Sequence, residues 1–235
     1  AFYTDFKDQL NNITFYLDTD QTFGNFTTNG IGKRHIGIEG GFEKKINTRI
    51  SLNFAGSIGQ FIYTTRPIAT ITYDNSTLQT QQTVYYKNYY VTGMPQTAGT
   101  VGFSYNSSRY WFFNVNFNYF ANHYVEMNPL RRTELAVADI SPTFQKELYE
   151  SIIGQEKLPA GYVIDIFCGK SWRLKSNKFL AVNLNLGNIL NNTDFRTGGR
   201  EQLRFDVINR DVNKFPPRYF YAFGFNYNLN ISLRF

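Results

Sequence analysis

Two histidines, His35 and His123, and one cysteine, Cys168, are all the imidazole and thiol chemistry this chain of 235 residues carries. A metal centre needs such ligands at short spacing, and neither histidine has a second His or Cys placed to join it. Cys168 sits in an alternating apolar run, where a free thiol behaves as a small hydrophobe. Gly198-Gly199 lacks the preceding strand and following helix that a phosphate-cradling loop requires, and reads as a tight loop turn. Asp74-Asn75-Ser76 lacks the remaining oxygen ligands of a calcium loop. The Asn-x-Ser/Thr triplets, among them Asn25-Phe26-Thr27 and Asn75-Ser76-Thr77, read as composition. No catalytic constellation, metal set or cofactor is expected. The chemistry left is recognition, by rings that stack on sugars and guanidinium forks that take anions. The candidates are Tyr63, Arg66, Tyr124, Arg131, Arg132, Arg196 and Arg200, each of which could equally knit loops together.

The elements that must hold them are strands. From Tyr219 to Phe235 the odd positions are Tyr, Tyr, Phe, Phe, Tyr, Leu, Ile, Leu, Phe, and after Phe220 the even ones between are small or polar, Asn foremost. Side chains alternate between the faces of a strand, so the segment has one greasy and one wet face. Residues 179–187, 162–172, 109–125, 99–106, 49–63 and 35–46 repeat the pattern, and residues 1–9 read as one more strand. The links between them are of two kinds. Tight turns fall near 47, 107 and 175; long loops fall near 10–33, 64–96, 127–160 and 189–217. Their alternation in an antiparallel meander puts every tight turn on one rim and every long loop on the other, as in outer-membrane barrels. Trp111 and Trp172, both close to tight turns, suit an aromatic girdle at one membrane interface. In the third long loop, Ser141 as N-cap, Pro142 at the first helical position and Gly154 as stop frame a short helix with Phe144, Leu148 and Ile152 on one side.

The expected fold class is therefore all-β, an antiparallel transmembrane β-barrel wall of about eight meander strands. No run of the chain approaches the ~18 apolar residues of a membrane-spanning helix, and the mean hydropathy is -0.37. A soluble β-sandwich also alternates, but it predicts strands of ordinary length and leaves the uncharged, aromatic face of the last strand unexplained. The net charge of +6 is scattered through turns and loops, with no basic helix or stripe, so no nucleic-acid partner is expected. The opening Ala-Phe-Tyr-Thr-Asp-Phe has no signal-peptide character, which fits either a removed leader or a piece of something longer.

Eight strands can close alone, with side chains filling the interior. That would make a self-contained small outer-membrane barrel acting as an anchor, adhesin or structural protein. Inward faces rich in Asn, Ser, Gly and Ala, together with long loops, favour a segment of a wider barrel. Val182-Asn183-Leu184-Asn185-Leu186-Gly187-Asn188-Ile189-Leu190-Asn191-Asn192 resembles the penultimate strand of TonB-dependent outer-membrane receptors. Thr197 to Gln202 and Asn213 to Phe220 resemble the last loop and strand of their Bacteroidetes, SusC-like branch. Leu233-Arg234-Phe235 resembles the aromatic C-terminal signal read by the barrel-assembly machinery. The resemblance implies a barrel of about 22 strands in the bacterial outer membrane, with residues 1–235 as its C-terminal segment. It further implies a plug domain and N-terminal strands outside this chain, coupling to TonB through them, a SusD-like surface lipoprotein as partner, and import of a glycan, peptide or metal chelate.

Overall fold

The computed structural model describes residues 1–18, 21–175 and 178–235. Its main sheet is an antiparallel meander. The wall strands are β1 (Phe2–Leu17), β2 (Thr22–Lys45), β3 (Ile50–Tyr63), β6 (Thr97–Asn106), β7 (Trp111–Ala121), β8 (Gly161–Arg173), β9 (Phe179–Gly187) and β12 (Asn226–Arg234), each hydrogen-bonded to the next. Two shorter strands, β4 (Ile68–Tyr73) and β5 (Gln79–Thr83), extend it above β3, and β10 (Arg196–Arg200) pairs with β11 (Arg218–Tyr221) in a separate ribbon. The sheet is open: among the described strands β1 pairs only with β2 and β12 only with β9.

Register explains why the alternation is so regular. Directly opposed residues of antiparallel strands share a face. One row therefore runs Phe42–Phe54–Val101–Phe117–Ile164, and another runs Phe113–Cys168–Leu184–Leu229. The rows between them read Ser51–Ser104–Asn114–Phe167–Asn185 and Glu43–Asn53–Gly102–Asn116–Asp165. From β2 to β12 the middle of one face of the wall is thus apolar and exposed, Tyr227 reaching 72%, with Arg34, Lys44 and Lys170 towards its two rims. Cys168 lies on that face, as expected, and is a free thiol.

The tight-turn rim is built locally. Asn47 Oδ1 accepts from the backbone amides of Arg49 and Ile50 at 2.8 and 2.9 Å, an Asx turn closing β2 onto β3. Ser107 Oγ accepts from Arg109 N at 3.2 Å in the next turn. The turn expected near 175 includes Ser176 and Asn177, which lie outside the described residues; Arg173 opposite Phe179 brackets it. Trp111 and Trp172 stand exposed at this rim, Trp111 against Tyr105 and Trp172 beneath the Lys170 ammonium.

Four expectations change. Residues 10–33 are largely strand, because β1 and β2 run on together well past the wall. The alternation there changes phase at two bulges, where Asp8 (φ 52°) and Gly30 (φ 77°) take the left-handed conformation. An extra residue in one strand moves everything beyond it to the opposite face. Gln9, Ile13, Phe15, Phe26 and Thr28 consequently share the inner face with Lys33 and Tyr63.

The last strand is also interrupted. Residues 222–225 leave the ladder, because Phe225 N donates to Asn191 Oδ1 and Ala222 N donates to Phe195 O. Gly198-Gly199, finally, is not a turn but the middle of β10, opposite Phe220 and Tyr219.

The helix of the third loop is shorter than its signals suggest. Helix α1 spans Lys146–Ile153 and ends at Gly154, but Ser141 closes a preceding turn instead, accepting from Phe144 N at 3.2 Å. Ile152 is buried while Phe144 is 92% exposed, so the apolar stripe engages only through its C-terminal end.

Candidate functional site: a cap and its polar chamber

Burial is confined to the long-loop end. Phe15, Leu17 and Phe26 from the extended hairpin, Ala69 and Ile71 from β4, Val84 and Tyr86 beyond β5, Met127 to Ile152 from the third loop and Phe205 from the fourth form one apolar cluster. The long loops are therefore a packed cap with its own core, seated on the inner face of the sheet. Arg132 is the knot at its centre, wholly buried, and faces Glu201, itself 5% exposed. The guanidinium also donates to the carbonyls of Ile153 (3.2 Å) and Gly154 (2.6 Å). Arg131 donates to the carbonyls of Ser151 (2.7 Å) and Ile152 (3.0 Å) and pairs with Glu201 at 3.0 Å. These carbonyls end α1 and would otherwise have no partner. Asn128, also buried, donates its amide to the carbonyls of Gln202 and Arg204 and gives its backbone N–H to Glu201.

The seven candidate residues thus fall in different places. Arg131 and Arg132 are committed inside the cap, where they tie the third loop to Glu201 in the fourth, and Arg132 also lies over the Tyr89 ring of the second. Tyr124 stacks on Tyr90 with rings 4.1 Å apart, and burial together with its hydrogen bond to Tyr90 pushes its hydroxyl up to about 12. Arg196 lies over the Tyr219 ring (4.2 Å) and near Glu156 (3.9 Å), whose carboxylate accepts from the Tyr219 hydroxyl. Arg66 is exposed over Tyr85. Arg200 lies exposed on the outer ribbon.

Tyr63 alone of the seven lines a chamber of about 600 Å³ between wall and cap. Its other walls include Gln9, Asn11, Lys33, Tyr86, Thr92 and Glu126. Tyr63 and Tyr86 present rings with centroids 5.0 Å apart, and the Lys33 ammonium stands 5.6 Å from the Tyr63 ring. Glu126 takes part in no ion pair or side-chain hydrogen bond among the described residues. Two rings, one cation, one carboxylate and the two amides of Gln9 and Asn11 suit a polar ligand with stacking surface. Among the described residues no group of three His, Cys, Asp or Glu is placed to hold a metal ion.

Comparison with protein-family profiles, curated protein sequences and solved structures finds no match for the chain. No family is assigned. The site must be read from its own chemistry, and sequence reasoning found only one side of it. Lys33 stands beside Arg34 and Glu126 alone between Val125 and Met127, and nothing local signals that bulged strands and a distant loop bring Lys33 and Glu126 together.

The histidines split. His35 is packed between Phe6 and Phe61, with Nε2 buried and without a hydrogen-bond partner among the described residues. His123 is buried and donates Nε2–H to Arg196 O at 2.9 Å, securing β10 to the cap, and burial lowers its pKa. A lowered imidazole pKa means that the unfolded chain binds protons more readily. Cap stability should accordingly hold above about pH 6.5 and fall as the pH drops below it. Thermal melts from pH 8 to 5 should show this acid slope, and His123→Gln should flatten it; an unchanged slope would remove His123 as its source.

Proposed function

We propose that the chain is the C-terminal wall and outer cap of a TonB-dependent outer-membrane transporter that imports a nutrient: a glycan, a peptide or a metal chelate. The observation that carries this reading is the apolar face, exposed across the seven strands from β2 to β12 and opposite a face rich in Asn, Ser and Gly. An exposed apolar surface of that extent calls for lipid or a partner. A band with tight turns at one end and a loop cap at the other fits a bilayer. The wall then supplies a wet lumen, the cap gathers ligand into the chamber, and energy enters through a plug and TonB contact carried by other parts of the receptor. Among the ligand classes, the chamber's rings and amides favour a glycan. Phe235, with the Lys178 ammonium 4.7 Å above its ring, would serve the barrel-assembly machinery, and a SusD-like lipoprotein would cover the cap.

The open edges support this reading over a small barrel closed on itself. Backbone edges cannot stand unpaired in hydrocarbon. A self-closed eight-stranded wall would have to join β1 to β12, and here each has a single partner. Antibodies against the cap loops, used on fractionated cells, test the proposal. A band in the detergent-extracted outer-membrane fraction at several times 27.3 kDa is the expected result. A band near that mass would favour the small barrel, and recovery without detergent would overturn both.

A further inference from the structure

The β10–β11 ribbon places Arg200 directly opposite Arg218. Like charges in opposed positions repel, and strands ordinarily avoid the arrangement. Both side chains are exposed, and neither has an acidic partner among the described residues. The two arginines line a recess of about 330 Å³ on the cap, together with Thr14, Tyr16, Gln202 and Arg204. Arg204 is already paired with Asp18 and stacked on Phe215. Glu201, at the back of the recess, is taken by Arg131 and Arg132. Glu126, whose backbone bridges that of Arg200, lines the chamber instead. Two guanidinium forks therefore face one recess with no anion of the chain left to neutralise them.

We propose that this recess binds an oxyanion carried by an external ligand, a phosphate, sulfate or carboxylate gripped between Arg200 and Arg218. Guanidinium forks match such groups bidentately. Tyr16 offers a ring beside them for whatever bears the charge. The site is distinct from the chamber and does not depend on the membrane reading.

Titration of the detergent-solubilised full-length protein with inorganic phosphate, inorganic sulfate and a uronic-acid disaccharide tests the site and separates the sources of the anion. The double variant Arg200→Ala/Arg218→Ala should weaken binding of the preferred anion at least tenfold. Arg200→Lys/Arg218→Lys, which keeps charge but loses the forks, should fall between. A second readout is independent of affinity. Without ligand, the single change Arg218→Gln should raise the melting temperature by relieving the repulsion. The anion should stabilise the wild type and not the double variant. Failure of all three probes to bind the wild type, or equal binding by the double variant, would overturn the proposal.

Discussion

Glu201→Ala should dismantle the cap while leaving the wall intact. Among the described residues Glu201 is the one carboxylate paired with both buried guanidiniums, and its loss would leave Arg132 without its ion-pair partner in a dry site. Breaking a buried pair in this way costs about 3–5 kcal/mol, because the remaining charge has no water to return to. Burial already lowers the Arg131 pKa, with Glu201 opposing that shift, so the balance is held by this carboxylate. The effect would spread through three loops. The end of α1 would lose the guanidiniums that satisfy its last carbonyls, and Asn128 N would lose its acceptor. Glu201→Gln, which keeps an acceptor but removes the charge, should fall between. Limited proteolysis in detergent would read this as rapid cutting within 127–160 and 200–217, with strand content unchanged. Cleavage at the wild-type rate would show that the knot contributes little. Arg66→Ala is the matched control, since that side chain lies exposed over Tyr85 and should change cutting very little.

The wall was legible in the sequence and the cap mostly was not, for physical reasons. A period of two is a local property, so Trp111 to Ala121 or Phe179 to Gly187 announce themselves without knowledge of their neighbours. The hairpin of β1 and β2 escaped notice past residue 9 because the bulges at Asp8 and Gly30 shift the phase, and two half-patterns out of step read as a loop. The break at 222–225 was invisible because Ala222, Gly224 and Phe225 still alternate; what lifts them off the ladder is the side chain of Asn191 and the carbonyl of Phe195, some thirty residues away. Arg131 and Arg132 looked like ligand-binding forks because their partner, Glu201, is distant along the chain. In a sequence, an arginine that grips an anion from outside and one that grips a carboxylate of its own chain are the same letter. Arg200 belongs to the same group of candidates, and only the strand pairing showed that Arg218 stands beside it.

Phe117→Arg should prevent the wall from assembling in a bilayer, whereas Asn114→Arg should be tolerated. The two positions are three residues apart on β7 and point to opposite faces. Phe117 lies in the row Phe42–Phe54–Val101–Phe117–Ile164, and Asn114 in the row Ser51–Ser104–Asn114–Phe167. Phe117 stands six residues above Trp111, about 20 Å along a strand at ~3.3 Å per residue. With the tilt of barrel strands that is about 15 Å in height, close to the middle of a ~25 Å apolar band. An arginine there, in contact with lipid, costs about 2–4 kcal/mol, and the cost falls towards zero near either interface. Lys170 occupies the apolar face without such a penalty because it lies at the Trp172 rim, where a long side chain reaches water. The contrast isolates lipid from packing, since in water an arginine on either exposed face would be nearly neutral. Heat-modifiable mobility of the full-length receptor after refolding into bilayers would separate the variants, with a folded band for Asn114→Arg and little or none for Phe117→Arg. Equal folding of the two would sink the assignment of the apolar face to lipid, and with it the transporter reading; the oxyanion recess, which lies on the cap, would be unaffected.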